Sequence, residues 1–258
     1  MARTIAIGDV HGCLIELQEL IHDLNVYEDD HLVFMGDLVD RGPFPVDTVR
    51  FVQQVSLERR VTVILGNHEQ KMCLWRLRES QRLETGRENK MRAPSPERQA
   101  QWESFSESEV SWLRQLPATV RLPDNWVGVH AGLFPGKALS DQDTDKIIRL
   151  RTVYPDTLKA GQLTDEAGPL TDPPGTVKWT SLWKGPWNVV YGHAVHGLEH
   201  PRVDRMRSET GEEIACVGID TGCCFGGRLT AAILGPNGSV EFVQVQAKRQ
   251  YAELGKSR

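Results

Sequence analysis

Val61-Thr62-Val63-Ile64-Leu65 runs directly into Gly66-Asn67-His68-Glu69. A short run of β-branched and aliphatic residues that stops at a glycine reads as a buried strand delivering a loop. That loop presents an amide oxygen and an imidazole on adjacent residues. The same pattern lies upstream, where Thr4-Ile5-Ala6-Ile7 enters Gly8-Asp9-Val10-His11-Gly12 and Leu32-Val33-Phe34-Met35 enters Gly36-Asp37-Leu38-Val39-Asp40-Arg41-Gly42. It returns downstream, where Trp126-Val127-Gly128-Val129 ends in His130-Ala131-Gly132 and Asn188-Val189-Val190-Tyr191 ends in Gly192-His193. Five strands ending in glycine-flanked Asp, Asn or His are how a sheet builds a multidentate metal site at its edge.

Around these strands the chain reads as α/β. Leu14, Leu17, Leu20, Ile21 and Leu24 predict an amphipathic helix over Cys13 to Leu24. Val46, Val49, Phe51, Val52 and Val55 predict a second from Pro45, and Lys71 to Glu79 a third. Strand, loop and helix repeat through residue 75, which argues against separate α and β layers. Between Arg76 and Glu107 the sequence turns polar and arginine-rich, broken by Ala93-Pro94-Ser95-Pro96, and is expected to be an insertion over the sheet edge with a largely solvated face. Ser108 to Leu116 resumes as a helix. Residues 133–187 form a second, proline-rich insertion, with one short ordered element at Lys146 to Arg151 and Trp179, Trp183 and Trp187 spaced for packing. Strands follow at Ile214 to Ile219, Arg228 to Leu234 and Val240 to Val245. The expected organisation is one domain over 1–246 and a frayed polar tail over 247–258.

Composition narrows the function classes. A chain of 258 residues supports one full core. A net charge of -5 gives no general attraction to nucleic acid or acidic lipid, so a nuclease and a membrane partner are disfavoured. No apolar run approaches the ~20 residues of a membrane helix. Five cysteines without scaffold spacing read as reduced thiols, and the cytoplasm is the expected compartment.

Two hard cations held close together need several oxygen and imidazole donors with a carboxylate between them. Asp9 and His11 can reach one ion. Asp37, from the neighbouring strand, can bridge. Asn67, His130 and His193 can complete the second. Mixed oxygen and nitrogen donors suit manganese, iron, zinc or cobalt rather than calcium. Two such ions roughly 3.5–4 Å apart turn a bound water into a hydroxide nucleophile and clamp an in-line phosphoryl displacement.

The set GDVHG, GDLVDRG, GNHE, VHAG and YGH, in this order, resembles the PPP superfamily of calcineurin-like metallophosphoesterases, which includes phosphoprotein phosphatases and bacterial diadenosine tetraphosphatases. The resemblance covers most of residues 3 to 235. It implies a central β-sandwich flanked by α-helices, with Asp9, His11 and Asp37 on one metal and Asp37, Asn67, His130 and His193 on the other. It further implies that His68 protonates the leaving group and that Asp40 orients it, a division that suits a His–carboxylate pair near neutral pH. Arg41 is the expected phosphoryl clamp, as a guanidinium fork suits that task. A second arginine lies between the later histidines in this family; Arg151 is the first candidate and Arg149 the second.

Glu69 is expected to support its loop rather than bind metal, and Asp220 to shape a turn. His22, His196 and His200 are expected to be surface or structural, and Cys223 to take no nucleophilic part. The closing Asp220-Thr221-Gly222-Cys223-Cys224-Phe225-Gly226-Gly227 resembles the tetraphosphatase branch, which points to a dinucleoside polyphosphate such as diadenosine tetraphosphate. Asp40-Arg41 is shared with serine/threonine phosphatases, so a phosphoprotein is the alternative substrate. A metal-binding module without catalysis is a third possibility, and all the residues the chemistry needs are present.

Overall fold

The computed structural model describes residues 2–165 and 171–254. In chain order the elements are β1 (Thr4–Ile7), α1 (Leu14–Asp23), β2 (His31–Phe34), α2 (Pro45–Glu58), β3 (Arg60–Val63), α3 (Asn67–Thr85), α4 (Pro96–Glu103), α5 (Glu107–Arg114), β4 (Thr119–Leu122) and β5 (Trp126–Val129). They continue as α6 (Thr144–Ile147), β6 (Leu150–Val153), β7 (Ala160–Leu163), β8 (Val177–Lys178), β9 (Asn188–Tyr191), β10 (Arg202–Arg207), β11 (Glu213–Gly218), β12 (Arg228–Leu234) and β13 (Val240–Gln246).

Two five-stranded sheets face each other, in the orders β13-β12-β1-β2-β3 and β10-β11-β9-β5-β4. Strand alternation sorts the apolar residues into three layers. Ala6, Val33, Met35, Val190, Ala215, Val217 and Ala232 fill the space between the sheets. Ile5, Ile7, Leu32 and Phe34 point the other way, into Leu17, Leu20, Val49, Val52 and Met72 of the helices. On the far side of the second sheet, Val127, Val129, Val189 and Tyr191 pack on Trp179 and Trp183. The expected β-sandwich flanked by helices is the observed architecture.

β1, β2 and β3 are parallel, as are β5, β9 and β11. Their C-terminal ends therefore discharge six loops, beginning at Gly8, Met35, Ile64, His130, Gly192 and Ile219. This edge gathers the predicted site.

Several boundaries differ from expectation. α3 starts at Asn67 itself and runs nineteen residues, so the central motif is the first turn of a long helix. The polar segment after it is ordered through α4, whose Ser95 cap accepts a hydrogen bond from the Arg98 amide at 3.3 Å. The single element expected at Lys146 to Arg151 divides into α6 and β6, and β6 joins β7 and β8 in a third sheet. β4 and β10, edge strands with polar alternation, were absent from the sequence reading. Residues 166–170 of the second insertion, Pro169 among them, and residues 255–258 of the tail lie outside the described residues.

The tail up to residue 254 does not fray. Ala247 N–H donates to Gly227 O, and the amides of Tyr251 and Ala252 both donate to Cys224 O. Tyr251 Oη and the Lys248 amide donate to Glu16 Oε1 at 2.7 and 2.9 Å, so a wholly buried carboxylate of α1 receives its partners from the tail. All five cysteines are free and buried. Among the described residues no helix is long and apolar enough to cross a membrane.

Candidate metal centre

All six predicted ligands and His68 are buried at the sheet edge. Asp37 lies at the middle: its Oδ2 is 3.5 Å from His11 Nε2, 3.4 Å from His130 Nε2 and 3.9 Å from His68 Nε2. Asn67 Oδ1 faces His130 Nε2 and His193 Nδ1, each at 3.0 Å. Asp9 joins from β1 by accepting the His193 amide, at 3.1 and 3.0 Å to its two oxygens.

The backbone is bent to make this possible. His11, Asp37, Asp40, Arg41 and His193 all have left-handed φ, between 45° and 68°. Each such non-glycine residue costs about 1–3 kcal/mol and persists only where its surroundings over-determine it. Glu69 supplies much of that constraint. Wholly buried, it accepts the amides of Asp37 (2.8 Å) and Gly66 (3.1 Å) on Oε2 and those of Leu38 (2.8 Å) and Val39 (3.2 Å) on Oε1. Burial and the neighbouring Asp37 push its carboxyl up to about 7. Supporting the loop is thus its observed role. Two glycines are obligatory for close approach: a Cβ on Gly66 would collide with Asp37 Oδ1, and one on Gly192 with Asp9 Oδ1.

These donors suit a cation. His11 and His130 bond through Nδ1 to the carbonyls of Val39 (2.8 Å) and Met35 (2.6 Å), which fixes the tautomer and turns each Nε2 inward. The buried Nε2 atoms of His68 and His193 have no hydrogen-bond partner among the described residues. Ligand atoms of His11, Asp37 and His68 lie within 4.8 Å of one another, and so do those of Asp37, His130 and His193. The two groups share Asp37; the first includes His68 and neither includes Asp9.

The electrostatics agree. Burial, Asp220 and Asp37 push the Asp9 carboxyl well up. Burial acts the same way on Asp37, but the imidazoles of His130, His68 and His11 outweigh it and hold that carboxylate ionised. Burial lowers His11 and His193, whereas Asp37 overcomes burial at His130 and raises it to about 10. Crowded acids and mutually opposed histidines are what cations would neutralise.

His68 Nδ1 is 2.5 Å from Asp40 Oδ2. Burial would raise Asp40, yet its hydrogen bond and ion pair with His68, joined by Arg98, keep it far below the carboxylate range. Burial lowers His68, Asp37 and Asp40 pull it back, and Arg41 adds to the fall. Arg41 Nη1 is 2.6 Å from His11 Nε2, with its guanidinium over Phe225 at 5.0 Å. A cation on His11 Nε2 and this hydrogen bond exclude one another.

The two arginine candidates are placed differently. Arg151, on β6, is buried beside Tyr191, Ala194 and His196. Arg149 donates to Gln70 Oε1 at 2.7 Å and Asp165 Oδ1 at 2.6 Å, and Asp165 in turn accepts Asn67 Nδ2 at 3.3 Å. Arg149 is therefore linked to the centre through a carboxylate. Asp220 accepts the Gly222 amide at 2.9 Å, as a turn residue does. His196 is pushed down to about 4, chiefly by burial, while His200 is exposed.

Sequence reading missed Arg98, Trp102 and Asp165. Arg98 donates to Asp40 Oδ2, and Trp102 Nε1 donates to Asp40 Oδ1 at 2.7 Å. Nothing local marks them, apart from a tryptophan inside an otherwise polar segment.

The family model for calcineurin-like phosphoesterases matches residues 2–232. The chain belongs to the calcineurin-like phosphoesterase family. It is accordingly a phosphoesterase, of a family that works with divalent metal ions. The asymmetrical bis(5'-nucleosyl)-tetraphosphatase PrpE of Halalkalibacterium halodurans is 31% identical over 265 residues, covering 94% of this chain and 93% of that protein. A symmetrical bis(5'-nucleosyl)-tetraphosphatase of Aromatoleum aromaticum is 35% identical over 136 residues, but covers only 51% of this chain and 44% of its own length. A crystal structure assigned as a diadenosine tetraphosphatase superposes with a TM-score of 0.70 at 28% identity, covering 94% of this chain and 93% of that one.

Proposed function

We propose that this phosphoesterase binds two metal ions and hydrolyses dinucleoside polyphosphates such as diadenosine tetraphosphate, cutting asymmetrically. The observation that carries the reading is Asp37 Oδ2 set between His11 and His130 with His68 beside it. When bound, the two ions neutralise phosphoryl charge and acidify the attacking water. Asp9, His11 and Asp37 would hold one, and Asp37, Asn67, His130 and His193 the other. Manganese is the first candidate, with iron, zinc and cobalt sharing the same donors.

The chain's own residues do the rest. A P–O bond forms to the water oxygen as the bridging P–O bond breaks. His68 gives the departing oxygen a proton from Nε2, while Nδ1 stays on ionised Asp40. Arg41, once released from His11, and Arg149 or Arg151 hold the non-bridging oxygens. The asymmetrical outcome is supported by near full-length similarity to a relative of that name, against half-length similarity to a symmetrical one. Five buried free thiols support a reducing compartment, the cytoplasm.

The test is product analysis of manganese-loaded protein on diadenosine tetraphosphate, beside phosphoserine, phosphothreonine and phosphotyrosine peptides. ATP plus AMP is expected, with a His68→Asn control slower by about 10²-fold or more. ADP alone would make the cleavage symmetrical, and faster peptide turnover would hand the substrate to the protein phosphatases. No turnover of any phosphate ester with any of the four metals would sink the reading.

A further inference from the structure

We propose that Arg98 and Trp102 of α4 are positioning residues for the proton donor, so that the arginine-rich segment completes the Asp40–His68 pair. The inference rests on the reading of His68 as general acid. Asp40 is 2 % exposed and cannot draw on solvent for its hydrogen bonds. Its Oδ1 accepts Trp102 Nε1, and its Oδ2 is shared between His68 Nδ1 and Arg98. With both oxygens engaged from different directions, the carboxylate has one orientation, and the imidazole inherits it. Charge-assisted bonds of this kind are the strong ones, and a buried carboxylate with both oxygens engaged is held in place.

The two side chains are themselves held. The Arg98 guanidinium lies over the Trp102 ring at 4.9 Å, and Trp102 packs on Trp75 at 5.5 Å. Trp75 stands two turns along the helix whose first turn carries His68, so one helix supplies both the acid and the platform for its support. Arg76 of the same helix donates to Trp102 O at 2.6 Å and Phe105 O at 3.1 Å, closing the C-terminal end of α4. A segment whose composition reads as solvated rim thus aims a buried indole and a part-buried guanidinium at one carboxylate.

The test uses Arg98→Gln and Trp102→Phe in the full, metal-loaded chain. Trp102→Phe keeps an aromatic ring on Trp75 and removes the N–H together with the fused pyrrole ring, so its folding is checked by urea unfolding beside the assay. Each variant is assayed on phenyl phosphate, whose leaving group needs a proton, and on 2,4-dinitrophenyl phosphate, whose leaving group does not. Expected is a fall in kcat of about 10- to 100-fold on the first substrate and under about threefold on the second, with KM within about twofold. His68→Asn is run alongside and should show the same asymmetry. Equal losses by His68→Asn on both substrates would remove the acid reading and this inference with it. Asymmetry in His68→Asn without asymmetry in the two variants would overturn the positioning role alone. A raised KM with kcat kept in Arg98→Gln would make Arg98 a substrate ligand instead. A second readout does not depend on turnover: the downfield proton resonance of the His68–Asp40 bond in zinc-loaded protein, assigned by its loss in His68→Asn. It should move or broaden in both variants, and an unmoved resonance in folded variants overturns the proposal.

Discussion

The two segments that interrupt the strand–helix repeat look alike in sequence, both polar, proline-broken and weakly periodic. In the fold they behave differently. Residues 86–106 are short and deliver Trp102 to the helical core and Arg98 to Asp40. Residues 133–187 are longer and build a core of their own against the second sheet, in which Trp179 Nε1 donates to Ala131 O at 3.2 Å and the indole lies where a side chain on Gly132 would sit. Among the described residues, this second segment reaches the centre at its rim through Asp165 and Arg149. The first bears on the Asp40–His68 pair and the second on the outer wall. Polar composition therefore says where a segment can lie, not which group it will hold.

That contrast can be broken at several points. The largest effect belongs to the residue the first segment supports: Asp40→Asn should lower kcat by about 10²–10³-fold with KM little changed, read by steady-state kinetics. An effect confined to KM would move Asp40 into substrate binding. Next is Trp102→Ala, which leaves a buried cavity against Trp75 and should cost about 3–5 kcal/mol in urea unfolding. Trp187→Ala in the other segment, half-buried, should cost clearly less; equal losses would erase the distinction between them.

Asp165→Asn tests the outer wall. The carboxylate pairs with Arg149 at 2.6 Å and Lys71 at 3.6 Å, two cations a polyanion would seek. Removing its charge should tighten competitive inhibition by pyrophosphate about three- to tenfold with kcat held, whereas weaker inhibition would show that Asp165 serves mainly to orient Asn67. The smallest effect lies outside both segments. Asp30, wholly buried, accepts from Arg3 Nε at 3.0 Å and from the Arg3 and Tyr27 amides at 2.9 Å. Burial would raise its carboxyl, but these partners hold it below 3.8. Its folded value being the lower one, its stabilisation is complete above about pH 4 and fades as pH falls below that. Asp30→Asn should therefore cost about 1 kcal/mol at pH 7 and less at pH 3, and a constant difference in unfolding midpoint would contradict the assignment.

The strand-end motifs were legible because each joins a local apolar run to a glycine, and both signals sit within a few residues. The sandwich followed from the family resemblance, and its layers from alternation, as Ala6 and Ile7 on β1 illustrate by facing opposite cores. What escaped was tertiary. Asp40 meets Arg98 across 58 residues and Trp102 across 62, and Asn67 meets Asp165 across 98. β10, Arg202-Val203-Asp204-Arg205-Met206-Arg207, is charged at four of six positions because it is an edge strand with one face in water. The tail looked polar because its anchoring is done by backbone amides and one tyrosine hydroxyl, groups that hydropathy does not weigh.

The place of β1 in its sheet has a consequence for biosynthesis. β1 is an inner strand, lying between β2 and β12, with Thr4 opposite Leu234. During translation it must wait, with one edge unpaired, until β12 has left the ribosome. Until then Asp9 and His11 hang from an unfinished sheet, and Gly8 lacks the Thr230 carbonyl that receives its amide. Long-range closure of this kind is slow and leaves strand edges exposed in the meantime. A nascent chain halted before β12 is thus expected to engage holdase chaperones through β1, and metal loading to be among the last events in the maturation of this enzyme.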